Sequence, residues 1–368
     1  MGTRPEIIKM APIVHEFERR DIDCHLLHTG QHYSEGLSES IFRDMQLREP
    51  DTNLNIGSGS HAEQTAKALV GIEGELLRVK PDIVLVLGDT NAVLSAALAA
   101  VKLGIPVGHV EAGLRSYDMR MPEEYNRRVT DHLSEYLFAP TENSAKILKS
   151  ENVWGKVYVT GNTVIDAVET SLPSARKKST IRARLGLKEF LLLTLHRAEN
   201  VDDAGILKGI VDGLTRLNQQ IVFAAHPRTV ARLQQFNLMD QVKSSGLISV
   251  IDPPGYLDFL MLLDTCSFVL TDSGGIQEEA TAPSMNKRVF VLRESTERPE
   301  AVKSGHAVVV GTNPGKFPEM IMRGMKSSVP KRRKCPFGTG NAARRIVDIL
   351  VQDPKIASRT AQARNPPP

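Results

Sequence analysis

The sequence predicts an α/β protein of two domains, each a parallel sheet covered by helices, and three observations carry that prediction. Short apolar runs alternate with longer amphipathic stretches, which is the pattern of strand–helix units. The chain has 368 residues, more than one ordinary core of about 100–200 residues encloses. A polar segment, residues 171–180 with Pro173 and a Lys-rich end, interrupts the pattern, and a new strand begins at Phe190. The expected division is 1–170 and 171–339. A helix near 340–352 packs back on the first domain, and residues 354–368, ending in Pro366-Pro367-Pro368, form a disordered tail.

The elements follow in order. The chain opens with Gly2-Thr3-Arg4-Pro5-Glu6, which reads as a loop after a strand. A helix over 7–19 follows, with Ile7, Ile8, Met10, Ala11, Ile13 and Val14 forming a face that covers a sheet. A domain of this class normally opens with a strand. One of about 6–8 residues is therefore expected to be encoded upstream of Met1, and its restoration is expected to stabilise the fold. Apolar or β-branched runs place strands at 24–29, 83–87, 107–110, 136–139, 156–160, 190–195, 220–225, 247–251, 268–271 and 289–292. Helical spacing fills 61–79, 92–103, 203–218 and 257–264 between them. Sheets of this kind bind ligands at the carboxyl ends of their strands, and the cleft between two such domains is the expected site.

Composition narrows the function. The formal net charge of +3 is small for this length and gives no case for nucleic acid or a membrane as partner. The run Lys331-Arg332-Arg333-Lys334 reads as a solvated turn. Cys24, Cys266 and Cys335 are odd in number and far apart, which fits a reducing cytoplasm rather than a disulfide framework or a zinc site. Cys266 lies in an apolar stretch and reads as a core residue. No apolar run approaches the roughly 18 residues of a membrane span, and the start lacks the apolar core of a signal peptide.

The most informative segment is 268–279. The strand Phe268-Val269-Leu270-Thr271 runs into Asp272-Ser273-Gly274-Gly275, and a helix starts at once with Ile276-Gln277-Glu278-Glu279. Unpaired N–H groups at a helix start, beside glycines without a Cβ, suit a phosphate. The plainer reading is an ordinary helix capped by Ser273, with Glu278 and Glu279 in its first turn. Gly88-Asp89-Thr90 and Glu111-Ala112-Gly113 each follow a strand directly, so Asp89 and Glu111 converge on one sheet edge, and Pro122-Glu123-Glu124 adds acid nearby. Taken singly, Asp89 suits a helix cap, and Glu123 and Glu124 suit a solvated face. His196 closes one strand and His226 repeats the placement on the next, as acid, base or phosphate donors. Arg4 and Lys9 flank a helix start and suit a diphosphate or, more plainly, solvent.

Several patterns fail. Gly57-Ser58-Gly59-Ser60-His61-Ala62 has dinucleotide spacing but follows the polar residues 51–55 rather than a buried strand. Residues 311–316 fall one short of a phosphate loop and lack the hydroxyl residue after Lys316. His25, His28 and His32 share no helix face, so no metal site is expected.

Together the motifs resemble those of the non-hydrolysing UDP-N-acetylglucosamine 2-epimerases. The matching segments are Gly2-Thr3-Arg4-Pro5-Glu6-Ile7-Ile8-Lys9-Met10-Ala11-Pro12, Gly88-Asp89-Thr90, Gly108-His109-Val110-Glu111-Ala112-Gly113-Leu114-Arg115, and Pro122-Glu123-Glu124 with Asn126-Arg127. Thr160-Gly161-Asn162-Thr163-Val164-Ile165-Asp166, His196-Arg197-Ala198-Glu199-Asn200, the 271–280 segment and Thr296-Glu297-Arg298-Pro299-Glu300 follow in family order, covering roughly residues 2–350. Departures lie at Asn286-Lys287-Arg288, at Cys335-Pro336-Phe337, and at Gln31-His32-Tyr33. The last keeps only part of a pattern tied to activation by a second substrate molecule.

The resemblance implies a glycosyltransferase-B-like fold, two Rossmann-like domains with parallel sheets facing a deep cleft, as a cytoplasmic homodimer. It implies interconversion of UDP-GlcNAc and UDP-ManNAc without metal or cofactor, by elimination and re-addition of UDP through 2-acetamidoglucal. Asp89, Glu111 and Glu123 match the acid–base positions, and His196 completes the catalytic set. Arg4, Lys9, His196 and the N–H groups of Ser273, Gly274 and Gly275 match the diphosphate clamp. Glu279 takes the ribose hydroxyls, Phe259 packs near the uracil, and Arg115 and Arg298 also bind substrate. The residues leave open a hydrolysing epimerase that releases ManNAc and UDP, a retaining UDP-sugar glycosyltransferase, and a non-catalytic nucleotide-sugar sensor.

Overall fold

The computed structural model describes residues 1–30, 35–327 and 333–356. Gln31-His32-Tyr33, Lys331, Arg332 and the tail from 357 lie outside the described residues, as do the expectations placed on them. The chain folds as two compact units, Met1–Ala167 with Phe337–Pro368, and Val168–Pro336. The division falls inside the helix Thr163–Lys178, where a polar linker was expected. Leu172 and Ala175 are buried on that helix, and the burial of this face outweighs the breaking tendency of Pro173.

In the first unit the opening helix is Arg4–Arg19, which starts three residues before the expected position. Pro5 lies in its first turn, where the missing N–H costs nothing and the fixed φ suits a helix. Arg4 is therefore a helical residue and not part of a loop. The strands are β1 Leu27–His28, β2 Thr52–Asn53, β3 Val84–Leu87, β4 Val107–Val110, β5 Tyr136–Ala139 and β6 Lys156–Val159. All pairings are parallel, in one sheet of order β3-β4-β5-β6 and a separate pair β1-β2. The Met1 amine donates to Leu27 O and Thr29 N donates to Met1 O, each at 2.9 Å, so Met1 forms a parallel bridge opposite His28. β2 was not expected, because its residues are polar and only partly covered. Its place comes from backbone bonds, Thr52 N to Leu26 O and Leu54 N to His28 O.

Helices cover both faces of the four-stranded sheet. Ile13 packs with Leu87, Val110 and Phe138 on one side, together with Ile346, Val347 and Leu350 of the helix Ala342–Gln352. Ala68, Ile72, Val93 and Ala97, from helices His61–Val79 and Asn91–Lys102, pack on Val86 and Val107 on the other. The Asp166 carboxylate accepts from Ala342 N and Ala343 N, at 3.1 and 2.9 Å, and so caps the last helix.

In the second unit the strands are β7 Leu191–Thr194, β8 Ile221–Ala224, β9 Ile248–Ile251, β10 Phe268–Thr271, β11 Val289–Val291 and β12 Ala307–Val309. They form one parallel sheet of order β9-β8-β7-β10-β11-β12. Successive strands step outward from β7 in one direction, then from β10 in the other, so the order reverses between β7 and β10. In sheets of this topology that point holds the ligand. β12 was not among the expected strands. Among the described residues no helix is long and apolar enough to cross a membrane.

His306, just before β12, is fully buried. Its Nδ1 meets Ser304 Oγ at 2.8 Å, and its Nε2 has no hydrogen-bond partner among the described residues. Burial first, and then the nearby Arg333 guanidinium, push its pKa down to about 4. The unfolded chain therefore binds this proton more readily than the folded one. The resulting stability is complete above about pH 6.5 and is lost as pH falls toward 4, by on the order of 3 kcal/mol. His306→Gln should flatten this part of the stability–pH curve measured by urea unfolding. An unchanged slope would remove His306 as its source.

Candidate active site

β3 runs into Gly88, whose φ of +88° turns the chain sharply. The side chain of Thr90, not that of Asp89, caps the next helix, accepting from Val93 N at 3.4 Å. Asp89 is thus left for other work. Its carboxylate takes Arg127 at 2.8 Å, its carbonyl takes Asn126 Nδ2 at 2.9 Å, and its side chain stays 32% exposed. Asn126 also lines a cavity of about 520 Å³ with Asn91, Tyr125, His61 and Leu69.

β4 runs into Glu111, which has a φ of +69°. A non-glycine residue in this left-handed region carries a backbone cost, and such residues gather at functional sites. The buried Glu111 carboxylate is held by Lys9 Nζ at 2.6 Å and Asn162 Nδ2 at 2.7 Å. Lys9 comes from the opening helix and Asn162 from the end of β6. Glu123 and Glu124 open the helix Pro122–Leu133 with opposite fates. Glu124 is fully buried and takes Ser116 N and Oγ at 2.9 Å, Arg127 at 2.7 Å and Arg128 at 3.2 Å. Glu123 is half-buried, and its side chain forms no hydrogen bond or ion pair among the described residues.

Behind these turns lies a buried charge cluster that periodicity did not reveal. His109 meets Asp131 Oδ1 at 2.7 Å and Gly88 O at 2.8 Å. The other Asp131 oxygen takes Gly113 N at 3.2 Å and Arg115 at 2.7 Å. Arg115 also grips Glu151 at 2.6 Å, and its side chain has no exposed surface. Burial disfavours its charge, but Glu151 and Asp131 outweigh burial and raise its pKa further. Expected as a substrate contact, Arg115 is instead committed to two carboxylates inside the unit.

In the second unit the candidate residues gather where the strand order reverses. Thr194 and Thr271 close β7 and β10 with their hydroxyls 2.6 Å apart. The fully buried Asp272 accepts from His196 N at 3.1 Å, Arg197 N at 3.0 Å and Asn200 Nδ2 at 3.1 Å, and meets His196 Nδ1 at 3.1 Å. Burial opposes its charge, yet the His196 ring and these N–H groups hold its carboxyl below the ordinary range. His226 lies beside His196, with ring centroids 6.4 Å apart.

The Ser273 side chain makes no cap bond, contrary to the plainer reading. Its N–H donates to Thr271 Oγ1 at 2.9 Å. A Cβ on Gly275 would meet nothing nearer than Ser273 Oγ at 3.9 Å, and one on Gly274 would lie 3.5 Å from the Arg298 guanidinium carbon. The helix Gly274–Glu279 has six residues, so Glu278 and Glu279 end it rather than open it. The glycines thus hold the first turn. Buried Glu278 binds Arg298 Nε, and Glu279 is buried next to it. Phe259 is buried on the helix Tyr256–Thr265.

A profile of the family described as UDP-N-acetylglucosamine 2-epimerase matches residues 15–351. The UDP-N-acetylglucosamine 2-epimerase of Methanocaldococcus jannaschii is 48% identical over 361 residues, 95% of this chain and 97% of that protein. Its crystal structure in complex with UDP-GlcNAc and UDP superposes with a TM-score of 0.89, covering 96% of this chain and 98% of the other. The Neisseria meningitidis UDP-GlcNAc 2-epimerase bound to UDP-GlcNAc is 37% identical with a TM-score of 0.84, covering 96% and 98%. The Pseudomonas aeruginosa UDP-2,3-diacetamido-2,3-dideoxy-D-glucuronate 2-epimerase is 38% identical over 96% of this chain and 98% of its own.

Arg115→Ala should leave Asp131 and Glu151 without their shared cation and lower the unfolding free energy by ~3–5 kcal/mol. Chemical denaturation checks this. A loss near zero would mean that the guanidinium does not hold the cluster together.

Proposed function

The chain belongs to the UDP-N-acetylglucosamine 2-epimerase family, and on that premise we propose that it interconverts UDP-GlcNAc and UDP-ManNAc. The observation that carries the reading is Glu111, a buried carboxylate in a costly backbone conformation, clamped by Lys9 and Asn162. The C2 proton of the sugar is not acidic in the ground state. Breaking the C1–O bond releases UDP as the leaving group and develops positive charge at C1. A carboxylate then removes the C2 proton and leaves 2-acetamidoglucal. Return of a proton to the other face of C2, with UDP adding back at C1, gives the epimer.

Asp89, Glu111 and Glu123 take the acid–base roles, and the three differ in ways that support separate tasks. Asp89 is partly exposed and bound to Arg127, Glu111 is buried and clamped, and Glu123 is half-buried without a charged partner among the described residues. In the second unit His196 presents Nε2 while Asp272 holds Nδ1. His196, the N–H groups of Ser273, Gly274 and Gly275, and Arg298 take the diphosphate. Glu279 takes the ribose hydroxyls and Phe259 lies near the uracil. Cys24, Cys266 and Cys335 form no disulfide among the described residues, which fits a cytoplasmic enzyme. Val70 and Leu77 of one helix and Tyr125 and Val129 of another are exposed apolar side chains, which supports a homodimer.

The test is incubation with UDP-GlcNAc in deuterated water, followed by NMR. UDP-ManNAc carrying deuterium at C2 is the expected product. Free ManNAc with UDP would mean hydrolysis, and binding without turnover would mean a sensor. The diacetamido-glucuronate relative gives a second reading with the same chemistry on another UDP-sugar, and turnover of that sugar alone would select it. Asp89→Asn, Glu111→Gln and Glu123→Gln should each lower turnover by ~10²–10⁴-fold with UDP affinity largely kept. Equal loss of both in all three would remove the acid–base assignment.

A second prediction concerns the glycine turn. Open space beside Gly275 allows Gly275→Val to fold, while the new side chain fills the volume that a phosphate needs. Loss of UDP binding by calorimetry, at unchanged melting temperature, is expected. Normal UDP binding would rule out the phosphate cradle.

A further inference from the structure

We propose that His109 is a positioning residue that sets the geometry of both carboxylate turns, Gly88-Asp89 and Glu111-Ala112-Gly113, through its two ring nitrogens. The proposal rests on the reading of Asp89 and Glu111 as acid–base groups. His109 lies on β4 and is 1% exposed. Its Nδ1 is 2.7 Å from Asp131 Oδ1 and its Nε2 is 2.8 Å from Gly88 O. A carboxylate and a peptide carbonyl offer only acceptors, so each ring nitrogen donates an N–H and the ring is an imidazolium.

The charges around it balance. Asp131 is fully buried and lies between His109 and Arg115, and Arg115 is shared with Glu151. Two cations and two carboxylates thus form one cluster, which removes the large penalty of a single buried charge. The cluster touches the backbone at two places. His109 donates to the carbonyl one residue before Asp89, and Asp131 accepts from the N–H of Gly113, two residues after Glu111. Gly88 and Gly113 both have positive φ, at +88° and +80°. A Cβ at Gly113 would collide with Ser144 O, so the close approach of this turn to its neighbour requires glycine. The imidazolium therefore holds the two turns in fixed relation through charge-assisted bonds. A neutral ring would satisfy only one of them.

Two measurements test this. The first is ¹⁵N NMR of the histidine side chains of the wild-type protein, with the His109 signal assigned by its absence from a His109 variant. Both ring nitrogens should show as hydrogen-bonded N–H donors. A ring nitrogen without its proton would overturn the proposal, whether or not the enzyme is active. The second is a comparison of His109→Asn with His109→Gln. The Asn amide takes the place of Nδ1 and keeps only the Asp131 contact, whereas the Gln amide reaches the place of Nε2 and keeps the Gly88 contact. His109→Asn should lower kcat for UDP-GlcNAc epimerisation by ~10²-fold with KM changed by less than about threefold, and His109→Gln should recover about tenfold of that loss. Wild-type kcat in both variants, or equal losses in kcat and UDP affinity, would overturn it. A wild-type protein that leaves UDP-GlcNAc unchanged would instead remove the functional reading, and the NMR result would still decide the state of His109.

Discussion

Burying the Glu111 carboxylate in a left-handed backbone conformation is unfavourable twice, through desolvation and through the backbone itself. The first unit is arranged to offset both. Lys9 supplies the countercharge and Asn162 a further donor, so the opening helix and the end of β6 are drawn to the end of β4. Asn162 in turn donates its backbone N–H to Phe337 O, and Asp166, four residues on, caps the helix Ala342–Gln352. The chain enters and leaves the unit at these points, so one carboxylate is tied to both ends of the unit's boundary.

Much of this was legible in the sequence, because the main strands are buried on both faces. The sheet of the second unit reads as near-continuous apolar runs from Leu191 to Val291, and such runs stand out in any hydrophobicity pattern. The placement of His196 at a strand end followed from those runs, and that of Asp89 and Glu111 from the apolar runs of β3 and β4 in the first unit. What remained hidden depends on backbone or on single side chains. β2 is held by main-chain bonds between polar residues. The start of the helix at Arg4 depends on Pro5 in its first turn, and the position of Glu278 and Glu279 depends on a helix that stops after six residues. Asp131 looks like any helical acid in sequence. Only the fold reveals that it meets His109, Gly113 and Arg115 at once.

The two units solve the same problem with the same pair of residues. Each has a fully buried aspartate, Asp131 or Asp272, and each aspartate accepts from a backbone N–H and from the ring of a histidine. Parallel strands deliver neighbouring strand ends to one edge, so a single carboxylate there gathers several otherwise unpaired donors. A buried aspartate at such an edge is thus a structural requirement before it has any chemical use.

The difference between the pairs lies in the second ring nitrogen. In His109 it is used up on Gly88 O and the ring is 1% exposed, so the ring serves position. In His196 the side chain is 41% exposed and only Nδ1 faces the aspartate. Asp272 then fixes the orientation of the ring with Nε2 outward, which is the arrangement an acid, base or phosphate donor needs. The same dyad therefore commits both ring nitrogens in the first unit, whereas in the second, on the function we propose, it leaves Nε2 for the substrate.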